Sequence, residues 1–305
     1  MKIVLAKSAG FCFGVKRAVD IAQNLAAQAD IGKRVLTLGP IIHNDAVVND
    51  LKKQGVTAVD KPSDAQIGDV LVLRSHGVAK KIIDEIKLHK IDYVDATCPF
   101  VSKIHKIVAT AEENSFVLIA GDALHPEVVG IIGHCKGDCA AFNNAEELVK
   151  VLAKISLENY NSVILVSQTT FDKKEFEKSV KYFKKVCTNG KIFDTICNAT
   201  SERQTEAEML SKNCDAMLVI GGKHSSNTKK LYEICKANCK NSFLVEDFEE
   251  LQAVLSEFDF CNVKILGVTA GASTPGRIIE EVLDTMCEVN TSGETVAEVT
   301  EEIAP

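Results

Sequence analysis

At 305 residues, the chain is long enough for two or three folded units with a sizeable buried core. Its hydrophobic share of 46% and charged share of 25% are those of an ordinary globular protein, which excludes a fibrous or wholly disordered chain. The net charge is −7, of which five negative charges lie in residues 288–305, and the nearly neutral remainder lacks the basic surface that nucleic-acid binding requires, so we expect no nucleic-acid partner.

The beginning of the chain gives no sign of export. The apolar run within residues 1–7 is too short for a signal peptide, and no later stretch approaches the roughly 18 apolar residues of a membrane span. We therefore expect a cytoplasmic protein without membrane contact. In a large cytoplasmic chain, eleven cysteines indicate metal binding or catalysis rather than a disulfide framework.

Short apolar runs, each followed by a polar loop, recur along the chain and predict buried parallel strands. The predicted strands cover residues 35–38, 70–73, 116–120, 163–166, 216–220 and 263–268. Amphipathic stretches at 18–25, 104–111 and 203–210 predict helices between them. This alternation of strand, loop and helix indicates an α/β protein with parallel sheets.

Three cysteines occupy equivalent places, each at the predicted start of a helix. They are Cys12, Cys98 and Cys197, and the last two share the pattern Asp-x-x-Cys. The repeat predicts three similar α/β units, 14–96, 97–194 and 195–287, preceded by a segment 1–13 that carries Cys12. Ligands bind at the carboxyl ends of parallel strands, so we expect the three units to surround one central cavity. An acidic, disordered tail is expected over 288–305.

The three repeated cysteines suit an iron-sulfur cluster. A cuboidal cluster is held by cysteine thiolates, and three ligands leave one iron open to another molecule. A helix N-terminus favours the thiolate form, so these places are chemically suitable. A separate zinc site remains an alternative for two other pairs, Cys135/Cys139 and Cys235/Cys239. Their i, i+4 spacing would let the two sulfurs of a pair bind one metal ion if each pair lay on a helix.

Polar side chains at the predicted strand ends indicate an anion site. Three histidines stand at equivalent strand ends, and the last unit adds hydroxyl and amide groups that donate hydrogen bonds. These residues are His43, His76, His125, Ser225, Ser226, Asn227 and Ser273. Glu127 follows one of the histidines, and with Thr169 it makes a candidate proton relay. No GxxxxGK[ST] motif is present, which excludes a P-loop nucleotide site.

Seven motifs in order resemble those of the 4-hydroxy-3-methylbut-2-enyl diphosphate reductase family, also called IspH or LytB, over about residues 1–286. The motifs are Ala9-Gly10-Phe11-Cys12-Phe13-Gly14-Val15, Ser75-His76-Gly77, Asp95-Ala96-Thr97-Cys98-Pro99, His125-Pro126-Glu127-Val128, Ser167-Gln168-Thr169-Thr170, Asp194-Thr195-Ile196-Cys197 and Ser225-Ser226-Asn227.

The resemblance implies a trefoil of three α/β domains around one [4Fe-4S] cluster per chain, held by Cys12, Cys98 and Cys197, with one iron not ligated by protein. It implies that the diphosphate of the substrate is bound by His43, His76, His125, Ser225, Ser226, Asn227 and Ser273. Catalysis is assigned to Glu127, Thr169 and His125, and Thr169 also contacts the substrate.

The reaction implied is a reductive dehydroxylation that gives isopentenyl and dimethylallyl diphosphate, the last step of the non-mevalonate isoprenoid pathway. Ferredoxin or flavodoxin is the expected electron donor, because no GxGxxG follows a strand to bind a nicotinamide or flavin. Two alternatives remain at this point. One is a three-cysteine [4Fe-4S] dehydratase resembling quinolinate synthase, and the other is a structural or redox-sensing protein that uses zinc or its thiols.

Overall fold

The computed structural model describes residues 1–29, 33–291 and 299–300. The chain forms two compact units. The first unit comprises Met1–Cys12, His43–Val47 and Asn198–Pro305, and the second comprises Phe13–Ile42 and Val48–Cys197. The division that the sequence repeat predicts, at 96/97 and 194/195, stays a prediction.

The strands in the described ranges alternate with helices in chain order. The strands are β1 (Lys2–Leu5), β2 (Val35–Leu38), β3 (Val56–Val59), β4 (Val70–Leu73), β5 (Asp92–Asp95), β6 (Ser115–Ala120), β7 (Cys139–Phe142), β8 (Ser162–Ser167), β9 (Gly190–Ile192), β10 (Ala216–Ile220), β11 (Ser242–Val245), β12 (Ile265–Ala270) and β13 (Val299–Thr300). The helices are α1 (Phe13–Gln28), α2 (Asp45–Lys53), α3 (Lys80–Leu88), α4 (Pro99–Ala109), α5 (Pro126–Ile132), α6 (Ala145–Leu152), α7 (Lys173–Val186), α8 (Asn198–Ser211), α9 (Ser226–Asn238), α10 (Phe248–Glu257) and α11 (Gly276–Thr291).

Three parallel sheets share one strand order, which confirms the predicted α/β class. The second unit holds the sheets β3-β2-β4-β5 and β7-β6-β8-β9. The sheet of the first unit runs β11-β10-β12-β1, with β13 added beside β1. The N-terminal strand β1 thus stands where β5 and β9 stand in the other two sheets. The threefold repeat is completed by the first strand of the chain.

The central strands form because their side chains are apolar on both faces. In β10, Ala216, Leu218 and Ile220 join one hydrophobic cluster, whereas Met217 and Val219 join another on the opposite face. Strand β6 alternates in the same way between two clusters of the second unit. A parallel sheet buried on both faces has this composition because helices cover both sides of it.

Three predicted strands, 35–38, 70–73 and 216–220, coincide with β2, β4 and β10, whereas β6 begins one residue earlier than predicted and β8 is one residue longer at each end. The last predicted strand differs at both ends. The run 263–268 was expected to be the last central strand, but β12 covers Ile265–Ala270. Val263 instead follows a short 3-10 turn, Phe260–Asn262, and Thr269 and Ala270 pair with Val219 and Ile220 of β10. Pairing with the buried strand β10 therefore extends β12 beyond the apolar run that the sequence shows.

The predicted acidic tail, 288–305, lies largely outside the described residues. Within it, 288–291 continue α11, and Val299–Thr300 pair in parallel with Ile3 and Val4 of β1. No helix in the described part of the chain is long and apolar enough to span a membrane.

Candidate functional site

Each of the three repeated cysteines lies immediately before a helix, as the sequence predicts. Cys12 precedes α1, Cys98 precedes α4, and Cys197 precedes α8. Pro99 occupies the first turn of α4, where its missing N–H leaves no helical hydrogen bond unmade. All three thiols are free of disulfide bonds and half-buried. Each of the three cysteines therefore stands at the positive end of a helix dipole.

The same backbone hydrogen bond holds all three cysteines. In each case the cysteine N–H donates to the carbonyl of the second residue after a central strand, namely β12, β4 or β8. The three bonds run from Cys12 to Ala272 (3.2 Å), from Cys98 to Ser75 (2.9 Å) and from Cys197 to Thr169 (3.1 Å). The fold therefore fixes the three cysteine turns in equivalent ways, each against the carboxyl end of its own sheet.

Space around the Cys98 thiol depends on a glycine in the second unit. A Cβ atom at Gly14, in the first turn of α1, would lie 2.5 Å from Cys98 Sγ. Side-chain carbon does not approach sulfur so closely, so a larger residue at this position would displace the thiol. The Gly14 in the first predicted motif is thus explained by close packing against a candidate metal ligand.

Two residues of α8 hold the segment that leads to Cys12 in the first unit. Arg203 is buried, and its guanidinium donates to the carbonyls of Gly10 (2.7 Å) and Ala199 (3.0 Å). The Glu206 carboxylate accepts from the N–H groups of Lys7 (2.7 Å) and Ser8 (3.0 Å). The sequence analysis missed both residues, because only the tertiary fold brings α8 next to the N-terminal segment.

In the second unit, two predicted anion-binding histidines lie together. The rings of His76 and His125 meet edge to face, with centroids 5.5 Å apart. His125 caps α5, and its Nδ1 accepts the N–H of Glu127 at 3.1 Å. Since Nδ1 accepts, the proton of the neutral ring lies on Nε2, which is then a hydrogen-bond donor.

Glu127 is 2% exposed, and in the described part of the chain its carboxyl accepts two hydrogen bonds, both from Thr169. The Thr169 N–H donates to Oε1 at 2.6 Å, and its hydroxyl donates to Oε2 at 2.8 Å. Burial raises the pKa of Glu127 from its usual 4.5 to about 7, although both bonds from Thr169 act to lower that pKa. A carboxyl with this pKa holds and releases a proton near neutral pH, as a general acid requires.

Thr169 joins this carboxyl to a candidate metal ligand. Its N–H and hydroxyl bind Glu127, while its carbonyl accepts the N–H of Cys197. The predicted pairing of Glu127 with Thr169 therefore occurs in the structure, and the contact of Thr169 with Cys197 adds a link that the sequence analysis did not foresee.

The first unit carries the remaining predicted anion-binding residues. Ser273 Oγ donates to the carbonyl of His43 at 3.2 Å. Ser225 caps α9, and its Oγ accepts the N–H of Thr228 at 3.3 Å. A Cβ atom at Gly222 would lie 2.9 Å from the His43 carbonyl, so the loop after β10 reaches His43 only because this residue is glycine.

Asn227 is a buried amide in the first turn of α9. It is 4% exposed, and neither polar atom of its side chain has a hydrogen-bond partner within the described ranges. A buried amide without partners is unfavourable by roughly 1–3 kcal/mol. Such a group at a helix N-terminus is suited to binding an anion, because the ligand supplies the missing acceptor.

The predicted site residues are distributed over both compact units. The first unit holds Cys12, His43, Ser225, Ser226, Asn227 and Ser273. The second holds His76, Cys98, His125, Glu127, Thr169 and Cys197.

A family model described as LytB protein matches residues 3–287. The chain belongs to the LytB family. A curated relative from Thermoanaerobacter sp. (strain X514), named 4-hydroxy-3-methylbut-2-enyl diphosphate reductase, is 43% identical over 286 residues, which is 93% of this chain and 96% of that protein. The predicted resemblance is confirmed.

Two solved structures are also similar to this LytB chain. One is (E)-4-hydroxy-3-methyl-but-2-enyl diphosphate reductase, described as the terminal enzyme of the non-mevalonate pathway. It is 37% identical, with a TM-score of 0.67, over 94% of this chain and 100% of that one. The other is E-1-hydroxy-2-methyl-but-2-enyl-4-diphosphate reductase from Plasmodium falciparum. It is 26% identical, with a TM-score of 0.87, over 100% of this chain and 93% of that one.

Proposed function

We propose that this LytB-family chain reduces 4-hydroxy-3-methylbut-2-enyl diphosphate to isopentenyl and dimethylallyl diphosphate. The reaction breaks the C–O bond of an allylic alcohol, and it consumes two electrons and two protons to give the alkene and water. Support comes from the named relatives and from the local structure around the candidate ligands and acid. The chain would accordingly act as an oxidoreductase in the last step of the non-mevalonate pathway.

We further propose that Cys12, Cys98 and Cys197 hold one [4Fe-4S] cluster per chain, leaving one iron without a protein ligand. The residues fit such a group. The three cysteines form no disulfide bond, they stand at helix N-termini, and their turns are anchored by equivalent backbone hydrogen bonds. When bound, the cluster supplies electrons and an open iron that acts as a Lewis acid on the substrate hydroxyl oxygen.

The diphosphate is assigned to His43, His76, His125, Thr169, Ser225, Ser226, Asn227 and Ser273. The buried amide of Asn227 supports this assignment most directly, because its Nδ2 has no hydrogen-bond partner in the described part of the chain and would donate to a phosphate oxygen. His125 contributes a donor at Nε2, since its Nδ1 is occupied by the Glu127 N–H. Short, fixed donors of this kind position phosphate oxygens without a P-loop.

Proton delivery is assigned to Glu127, with Thr169 and His125 assisting. The carboxyl is buried, and its pKa of about 7 keeps a large fraction protonated at neutral pH. The Thr169 hydroxyl, 2.8 Å from Oε2, provides the group through which that proton leaves the carboxyl. Protonation of the reduced allylic fragment at one end or the other gives the two isomeric diphosphates.

Electrons are proposed to come singly from a ferredoxin or flavodoxin, because the sequence contains no GxGxxG dinucleotide motif. A cytoplasmic location stays a prediction.

The observation that carries the proposal is the chain of contacts from Glu127 through Thr169 to Cys197, which joins a neutral-pH acid to a candidate cluster ligand. The test is anaerobic purification followed by iron and sulfide analysis and turnover of the allylic diphosphate with reduced viologen. Roughly four irons per chain are expected, with consumption of the diphosphate.

The matched variants are Cys197→Ser and, as a control, Cys261→Ser at an exposed thiol. Cys197→Ser is expected to lose the intact cluster and turnover, whereas Cys261→Ser keeps both. A full cluster and normal turnover in Cys197→Ser would contradict the ligand assignment. A cluster-containing wild-type protein that does not reduce the diphosphate would contradict the substrate and favour the dehydratase alternative.

A further inference from the structure

Two histidines that the proposed mechanism does not use are stacked on each other in the second unit. His105 lies in α4, and His134 follows α5. Their ring centroids are 4.1 Å apart, and the ring planes differ by 21°. Burial lowers the pKa of His105 to about 4 and also lowers the pKa of His134 below its usual 6.5. Both rings are therefore neutral at pH 7, and no charge repulsion opposes the stacking.

The ring of His105 packs directly against the loop that follows β4. A Cβ atom at Gly77 would lie 2.5 Å from His105 Cε1, and the φ of Gly77 is +71°, so only glycine lets the loop pass this close to the ring. A Cβ atom at Gly130 of α5 would lie 3.3 Å from His105 Nε2. The buried ring of His105 is therefore in close contact with both the loop and α5.

His134 binds the next residue of the same loop. Its Nε2 lies 3.1 Å from the carbonyl oxygen of Val78. Because a carbonyl only accepts, the neutral ring carries its proton on Nε2 and donates to Val78. A backbone bond from the Lys80 N–H to the Gly133 carbonyl, at 3.3 Å, joins the same two segments. The loop after β4 is thus fastened to the C-terminal end of α5.

The loop and the helix that are joined in this way carry residues assigned to the diphosphate. His76 immediately precedes Gly77, and His125 caps α5 at its N-terminus. Their rings meet edge to face, with centroids 5.5 Å apart. Any shift of the loop along α5 would therefore change how these two imidazoles stand to each other.

The other side of His76 is bound independently of the histidine pair. Ser75 donates to the Ile41 carbonyl from its N–H at 3.2 Å and from its hydroxyl at 3.0 Å. The Ser75 carbonyl accepts the N–H of Cys98 at 2.9 Å. Loss of the histidine pair should therefore disturb the loop at and beyond His76, while the turn that carries Cys98 keeps its bond.

We propose that His105 and His134 are positioning residues, which hold the loop so that His76 binds a phosphate oxygen of the substrate. His105 supports the backbone of Gly77, and His134 fixes the carbonyl of Val78. The inference rests on the proposed function, because that function assigns the diphosphate to His76. Neither histidine of the pair is assigned a contact with the substrate, so their effect is on its binding rather than on the chemical step.

The experiment compares two replacements of His134 in cluster-loaded protein. His134→Leu removes the donor to Val78, whereas His134→Gln keeps an N–H donor on a side chain of similar reach. The control is His89→Leu, at an exposed position after α3. Turnover with reduced viologen gives kcat and the KM for the allylic diphosphate, and calorimetry gives the Kd for inorganic diphosphate, which has no hydroxyl to lose. Iron content and urea-induced unfolding are measured on the same preparations.

His134→Leu is expected to raise the KM and the Kd about three- to tenfold, the effect of roughly one lost hydrogen bond, with kcat and iron content close to wild type. His134→Gln should restore both constants, and His89→Leu should leave them unchanged. His105→Leu should also raise the KM. Because both histidines act on one loop, the double variant should raise the KM by less than the product of the two single effects.

A purely structural role predicts a different result. If His134→Leu lowers the free energy of unfolding but leaves the KM and the Kd at wild-type values, the proposal is overturned. It is also overturned if His134→Gln behaves like His134→Leu, or if the effects multiply in the double variant. Wild-type protein that does not reduce the allylic diphosphate would refute the proposed function instead, and the Kd for inorganic diphosphate would still decide the role of the histidine pair.

Discussion

The buried carboxyl of Glu127 leads to a prediction that combines activity with stability. Replacing it by glutamine in Glu127→Gln removes the proton but retains an oxygen that accepts from the Thr169 N–H. If Glu127 is the acid, turnover should fall by roughly 10²- to 10⁴-fold, the usual contribution of a positioned general acid. The KM for the diphosphate should change little, because the binding donors stay in place.

The buried carboxyl of Glu127 lowers the free energy of unfolding as the pH rises, because burial raises its pKa in the folded chain. Below pH 4.5 the carboxyl is protonated in both folded and unfolded chains, and it imposes no penalty. Between pH 4.5 and about 7 the unfolded chain releases a proton that the folded chain retains, so this group makes the protein less stable as pH rises. Above pH 7 the penalty reaches roughly 3 kcal/mol, which Glu127→Gln removes.

The measurement is urea-induced unfolding followed by circular dichroism at pH 5 and pH 8. Relative to wild type, Glu127→Gln should gain roughly 2–3 kcal/mol more at pH 8 than at pH 5. Glu177→Gln, at an exposed position of α7, is the control and should stay within about 0.5 kcal/mol of wild type at both pH values. An equal effect of Glu127→Gln at both pH values, or wild-type turnover, would refute the reasoning.

Three further substitutions test how the site is built. Gly14→Ala should lower iron content by displacing the Cys98 thiol, whereas Gly276→Ala, where a Cβ meets nothing within 4 Å, should keep a full cluster; equal iron in both would contradict the packing argument. Asn227→Ala should raise the KM for the diphosphate roughly 10- to 100-fold without lowering the unfolding free energy, and an unchanged KM would remove this amide from the site. Arg203→Lys should lose iron on gel filtration faster than wild type, since lysine cannot reach both carbonyls at once; retention at the wild-type rate would contradict its role.

The sequence by itself determined the α/β class and the local setting of the cysteines. The apolar runs at Val35–Leu38, Val70–Leu73 and Ala216–Ile220 coincide with β2, β4 and β10, because central strands of a parallel sheet are apolar on both faces. The cysteines precede helices because the capping and periodicity signals are local. The family can also be recognised from the sequence, because its motifs are short runs of consecutive residues that are identified without knowing which distant residues they contact.

The peripheral strands could not be predicted in the same way. Strands β5 and β9 contain only exposed and half-buried residues, so their sequences resemble loops. Strand β1 pairs with β12, whose residues are more than 250 positions away in the chain. The pattern of apolar residues within a short segment does not indicate which distant strand it pairs with. Only the tertiary structure therefore shows that the N-terminal strand β1 completes the third sheet.

Only the tertiary structure decided the chemistry of individual side chains. Glu127 acquires its pKa of about 7 from burial among residues of other elements, and its partner Thr169 lies 42 positions away. Cys135 and Cys139 share their spacing with Cys235 and Cys239, yet the first pair is accessible and the second is buried. A sequence motif specifies which groups are present, whereas their ionisation and reactivity depend on the solvent and partners that long-range packing supplies.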